Sequence, residues 1–173
     1  MNLDMHIKAH EIASLTSTQP TKPHSPLFHQ HFIMAINIEP LKPVFEGDLI
    51  LPGDPDYEAA VDRWSTTAVR PAGLVAYPKT PEDVSHVIKF VTEHKYDLAV
   101  RGGGHSPSGA SSSDGGVVID LSRHFAGCEV TKRNGQPVID VGGGCIWKTV
   151  DETAIQQGLA TVAGTVNHTG CGG

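Results

Sequence analysis

The sequence predicts a mixed fold of strands joined by helices, α+β or α/β, and three observations predict it. A stretch with helical periodicity over 81–94 lies between two short apolar runs, Leu74 to Tyr77 and Leu98 to Arg101. An Asn134-Gly135 pair separates two further strand-like runs, as in a hairpin. Nineteen glycines and twelve prolines require that much of the chain be loop or turn.

The elements follow in order from residue 35, where AINIEPLKPVFEGDLILPGD reads as the start of an ordered domain. Asp56 precedes YEAAVDRW, a short helix with Ala59, Ala60 and Trp64 on related faces. Leu74 to Tyr77 is a strand. The next helix spans Pro81 to His94: Thr80 stands at the N-cap, Pro81 suits the first helical position, and Asp83 gives a box-like spacing. Val84, Val87, Ile88 and Val91 form its apolar stripe, expected in the core. Leu98 to Arg101 reads as a second, buried strand, and the loop GGGHSPSGASSSDGG follows it. Val117 to Asp120 is a third strand. Glu129 to Lys132 and Val138 to Val141 flank the hairpin turn. Gly142-Gly143-Gly144 then leads into a helix from Ile146 to Gln157, stopped by Gly158. The sequence closes on GTVNHTGCGG.

Composition excludes several classes. The longest apolar run, Phe32 to Ile36, is far too short to span a membrane. A net charge of -6 gives no support to nucleic-acid binding. MNLDMHIKAHEIASL lacks a basic stretch followed by an apolar one, so no secretory signal is read and an intracellular location is the default. Cys128, Cys145 and Cys171 form no CxxC pair, which argues against a structural zinc site or a disulfide framework and for three reduced thiols. Residues 1–34 hold His6, His10, His24, His29 and His31 and no periodicity. They read as a disordered, solvated tail rather than a metal site, or else translation begins at Met34.

The loop from Arg101 to Gly109 is the most informative stretch. Consecutive glycines let a ligand approach the backbone, and successive N–H groups form an anion-binding nest that suits a pyrophosphate. Ser106 and Ser108 add hydroxyl donors. A flexible surface loop is the competing reading. Two familiar phosphate motifs fail: a dinucleotide GxGxxG from Gly102 meets Pro107, and a P-loop from Gly142 meets Trp147 before Lys148. Three separated Gly-rich segments, 102–104, 142–144 and 170–173, would be explained together by one extended ligand, and a dinucleotide such as FAD has that shape.

The strings VRGGGHSPSG, GGVVIDLSR, VGGGCIW and GTVNHTGCGG, with RPAGLVAYPKTPEDV upstream, resemble the PCMH-type FAD-binding domain of the vanillyl-alcohol-oxidase superfamily. Within it the similarity is to berberine bridge enzyme-like FAD-linked oxidoreductases, over about residues 40–173. The resemblance implies an α+β fold, the N-terminal part of a PCMH-type fold whose two subdomains hold FAD between them. It implies a pyrophosphate loop made by Arg101, Gly102, Gly103, Gly104, His105 and Ser106. It implies that Asp120, Leu121 and Ser122 lie along the cofactor, and that a segment with Gly164, Thr165, Val166, Gly170, Gly172 and Gly173 passes the flavin ring and pyrophosphate.

His105 matches the histidine that many members bond to the flavin 8α carbon, so the resemblance implies a covalent flavin; the alternative is a loop histidine that only hydrogen-bonds the cofactor. A neutral imidazole is a suitable nucleophile for that carbon, and the link would raise the flavin potential. Members with a second link use a cysteine where this sequence has Val166, which excludes that bond. Cys171 is then a packing residue, and His168 a loop hydrogen-bonding residue, with approach to the flavin as its alternative. No catalytic residue and no metal ligand is assigned. Family chains continue past this GxGG, so residues 35–173 are expected to be an incomplete FAD-binding domain without a substrate domain. The implied activity is oxidation of an alcohol, sugar or secondary metabolite, with hydride transfer to flavin. The 173-residue chain alone is expected to be inactive, and the alternative is a non-catalytic fragment that binds flavin weakly or not at all.

Overall fold

The computed structural model describes residues 36–172. The expected tail over 1–34 and the start at Met34 lie outside the described residues. A four-stranded mixed sheet forms the centre. Its strands are β1 (Asp48–Ile50), β2 (Leu74–Tyr77), β3 (Leu98–Arg101) and β4 (Val117–Asp120), in the spatial order β1-β2-β4-β3. The inner strands β2 and β4 run parallel with Leu74 opposite Val117 and Ala76 opposite Ile119, β3 runs parallel to β4, and β1 is antiparallel to β2.

Alternation along β2 and β4 divides the core into two layers. Leu74, Ala76, Val117 and Ile119 pack with Val87, Phe90 and Val91 of helix α2 (Pro81–His94). Val75, Tyr77 and Val118 pack on the other face with Tyr57, Ala60 and Val61 of helix α1 (Tyr57–Val61). Both inner strands are therefore buried throughout, which explains their apolar sequence up to the paired Asp120 at the end of β4. The Tyr57 hydroxyl donates to the Ala72 carbonyl at 2.7 Å, and burial pushes its pKa up to about 12.

Three sequence expectations need correction. Helix α1 stops at Val61, so Ala59 is exposed and Trp64 lies outside the helix. The cause is Arg63, whose buried guanidinium donates to the carbonyls of Ala60 and Asp62 and, through two nitrogens, to that of Ser111. On α2, Ile88 is 46% exposed and Phe90 takes its place in the core. Strand β3 is not buried: it forms the sheet edge, where only Ala99 is covered and Val100 is 51% exposed.

A two-stranded hairpin, β5 (Cys128–Arg133) and β6 (Gln136–Val141), follows the sheet. Its two-residue turn has positive φ at both Asn134 (54°) and Gly135 (78°), the primed geometry that Asn-Gly favours. Helix α3 (Trp147–Gln156) packs against the hairpin and ends before Gly158, whose φ is +66°. Strand β1 and a 3-10 turn over Thr66–Ala68 complete the elements, and neither was expected from sequence.

The entry to α2 is fixed by one carboxylate. Thr80 accepts from the Asp83 N–H at 3.1 Å, and Asp83 accepts from the N–H groups of Lys79, Thr80 and Glu46. Burial alone would raise the Asp83 pKa, but these donors outweigh it and hold the carboxyl below its ordinary value. A depressed folded pKa contributes stability that is present above the unfolded value near 4 and is lost as pH falls through the folded one. Asp83→Ala is therefore expected to destabilise by about 2–4 kcal/mol at pH 7, with a smaller deficit at pH 3. Urea unfolding at the two pH values checks this, and an equal deficit at both would contradict it.

Candidate functional site

The C-terminal ends of β3 and β4 place the first residues of the site. Arg101 and Asp120 are register partners on these strands, and Arg101 Nη1 donates to Asp120 Oδ2 at 2.8 Å. Asp120 is fully buried. Its other oxygen accepts from the Ser122 N–H at 2.9 Å and from the Ser122 hydroxyl at 2.6 Å, while the Leu121 N–H donates to the Arg101 carbonyl. The Asp120 carboxylate is thus engaged within the protein, and it anchors both chains leaving the sheet edge.

From that anchor, the three Gly-rich segments converge on one another. A Cβ on Gly102 would lie 2.7 Å from the Gly143 carbonyl oxygen, and Gly172 approaches the same carbonyl from the other side. A Cβ on Gly103 would lie 2.5 Å from the Gly170 nitrogen and 2.6 Å from its Cα, so only glycine admits this backbone contact. Gly104 has φ +67°, a left-handed turn immediately before the half-buried His105. Leu121 packs against Gly143.

The final segment is tied to the start of α3. The N–H groups of Trp147 and Lys148 have no partner within the helix, and they donate to the carbonyls of Thr169 (3.0 Å) and Asn167 (2.6 Å). Ile146 and Gly170 form an antiparallel bridge, and the Cys171 N–H donates to the Cys145 carbonyl at 2.8 Å. Gly164 sits against the Trp147 indole. The Val166 carbonyl accepts from both the N–H and the hydroxyl of Thr169, closing a turn that presents His168. Thr165 and Val166 are exposed, and Gly173 lies outside the described residues.

The convergence produces a ring cluster. His105 Nε2 and His168 Nδ1 are 3.0 Å apart. Trp64 stacks on His105 with ring centroids 4.2 Å apart and planes 19° apart, although its side chain is 61% exposed. The Trp64 N–H donates to the Gly104 carbonyl at 3.3 Å. The loop hydrogen bond expected for His168 is therefore present, and its partner is His105. Trp64 was not visible as a site residue, because it belongs to an apparent helix and meets His105 only through the fold.

The cysteines also converge. Burial, with Cys128 and Cys171 nearby, pushes the Cys145 thiol up to about 11, and burial raises that of Cys171 as well. Cys128 donates to the Thr153 hydroxyl at 3.1 Å. Protonated, packed thiols of this kind are poor nucleophiles. Among the described residues no group of three His, Cys, Asp or Glu could hold a metal ion, and no helix is long and apolar enough to cross a membrane.

The residues around the loop fit an acceptor-rich ligand. Arg101 Nε, Ser111 Oγ and Ser112 Oγ are buried without a partner, and among the described residues only His86 Nδ1 shares that condition. Unpaired donors so concentrated at one loop are costly unless a ligand or water satisfies them.

The model of a family described as "FAD binding domain" matches residues 72–173. The chain belongs to this FAD-binding family. An FAD-linked oxidoreductase of Aspergillus terreus is 38% identical over 141 residues, covering 79% of this chain and 28% of that protein. The (R)-6-hydroxynicotine oxidase of Paenarthrobacter nicotinovorans is 30% identical over 119 residues, covering 69% of this chain and 25% of that one. The crystal structure of 6-hydroxy-D-nicotine oxidase from Arthrobacter nicotinovorans superposes with a TM-score of 0.70 at 27% identity, covering 78% of this chain and 29% of its own. A berberine bridge enzyme-like protein of Physcomitrella patens, 19% identical with a TM-score of 0.68 and covering 78% of this chain and 29% of its own, shares the fold. The expected kinship with FAD-linked oxidoreductases holds, the berberine bridge enzyme-like protein shares the fold, and FAD is the cofactor of the family. The chain spans about a quarter of the length of these relatives.

The Gly103–Gly170 contact yields a prediction. Both faces of that contact are backbone, so neither can yield cheaply. Gly103→Ala is expected to lower stability by about 1–3 kcal/mol and to weaken FAD binding together with it. Denaturant unfolding and FAD fluorescence quenching measure the two effects, and wild-type values for both would refute the packing argument.

Proposed function

We propose that the Arg101–Ser106 loop holds the pyrophosphate of FAD, that Asp120–Ser122 and Gly164–Gly173 line the cofactor, and that His105 is bonded to the flavin 8α carbon. The observation that carries this reading is the presentation of His105. A loop of three glycines, packed against two other Gly-rich segments, leads directly into one half-buried imidazole that stacks on Trp64. Imidazole is a competent nucleophile, and Val166 supplies none, so a single link is proposed.

The bound flavin would supply two-electron redox chemistry, accepting hydride from a substrate C–H bond. This chain's own residues would bind and orient it. Arg101 Nε and the loop N–H groups would face the diphosphate charge. His105, as an N-alkyl imidazole, would withdraw electron density and raise the potential. For the whole protein we propose FAD-linked oxidation of a small molecule carrying an alcohol, a sugar hydroxyl or a comparable oxidisable carbon. The 6-hydroxynicotine oxidase among the relatives supports including an amine in the same range.

Acid precipitation of the FAD-loaded protein tests the attachment. Flavin absorbance is expected to stay with the wild-type pellet and to move to the supernatant in His105→Ala, which should still bind FAD non-covalently. Acid-stable colour retained in His105→Ala would mean that another residue carries the flavin.

A further inference from the structure

We propose that His168 is a positioning residue for the flavin link: it selects Nδ1 of His105 as the reacting nitrogen and takes up the Nε2 proton as the bond forms. This rests on the reading of His105 as the attachment residue.

The geometry leaves two proton arrangements between His105 Nε2 and His168 Nδ1, which are 3.0 Å apart. If His168 donates, His105 Nε2 is the acceptor and the proton of neutral His105 sits on Nδ1, leaving no free lone pair. If His105 donates, its proton sits on Nε2 and the Nδ1 lone pair is free. Only the second arrangement makes His105 a nucleophile. It also leaves Nδ1 as the ring nitrogen with no hydrogen bond among the described residues.

Two features hold this arrangement. Trp64 stacks on His105 at 4.2 Å and fixes the plane of its ring, and within that plane a ring flip would put a carbon in place of Nε2 and break the hydrogen bond to His168. His168 is fixed through its backbone, because the carbonyls on either side of it, Asn167 and Thr169, accept the first N–H groups of α3. His168 is itself exposed, so a proton it receives has a path to water.

A bond forms between His105 Nδ1 and the flavin 8α carbon. A C–H bond at that carbon breaks and its proton goes to solvent, while the Nε2 proton of His105 passes to His168 Nδ1. The two electrons left on the flavin reduce dioxygen, which with two protons becomes hydrogen peroxide. His168 ends protonated and returns its proton to water.

The test uses the full chain, FAD and two readouts. Nitrogen-15 spectra of the histidine rings without cofactor are expected to show neutral His105 as the Nε2–H tautomer. Acid-stable flavin incorporation in His168→Ala, compared with wild type at saturating FAD, is expected to be about 100-fold slower, with the rate restored by added imidazole. His168→Asn covers the case in which the Ala variant does not fold: its amide oxygen stands where Nδ1 stood and keeps the hydrogen bond but takes up no proton, and slow incorporation is again expected. Wild-type incorporation in either folded variant would overturn the proposal, as would an Nδ1–H tautomer of His105. A wild-type protein that binds FAD with no acid-stable fraction would overturn the attachment reading, and this proposal with it.

Discussion

The site depends on a buried ion pair at the end of the parallel strands. Asp120 is fully buried, and its two oxygens are shared between Arg101 on the neighbouring strand and Ser122 downstream. Removing one member of such a pair leaves an uncompensated charge and typically costs about 3–5 kcal/mol. Its consequence here is geometric. Arg101 and Asp120 close the ends of β3 and β4 in register, so the Gly102–Gly104 turn leaves the sheet from a fixed point. The same guanidinium also retains a buried, unpaired Nε facing the loop. One side chain therefore sets the position of the loop and contributes to its preference for an anion.

The glycines complete that logic in a way that the sequence suggested only in part. Three Gly-rich segments are visible in the sequence and imply close backbone approach to something. In the fold, the first partners of Gly102, Gly103, Gly170 and Gly172 are other backbone atoms, because the three segments pack on each other. The missing side chains let three loops from distant parts of the chain share one small volume. His105 and His168, 63 residues apart, then come within hydrogen-bond distance. The close approach of backbones is what brings the two rings together.

The parts legible in the sequence are those with local causes. Helix α2 has its start signals written in Thr80, Pro81 and Asp83, and the hairpin has Asn134-Gly135; both elements form as expected. Strands β2 and β4 are short apolar runs and match residue for residue. What escaped has non-local causes. The end of α1 is set by the bonds of Arg63 to Ser111, 48 residues away. The exposure of Val100 follows from the edge position of β3, which depends on strand order rather than on its own residues. Trp64 has no local mark that distinguishes it from a core tryptophan, and the grouping of Cys128, Cys145 and Cys171 is invisible until β5 and the last loop meet at α3.

The central claim is that this convergence delivers one imidazole, His105, to the flavin. Tryptic mapping of the FAD-loaded protein tests it directly, because cleavage after Arg101, Arg123 and Lys148 separates the two histidines of the cluster. The flavin mass is expected on the peptide Gly102–Arg123. Flavin on the peptide Thr149–Gly173, which carries His168 and Cys171, or on no peptide at all, would contradict the account.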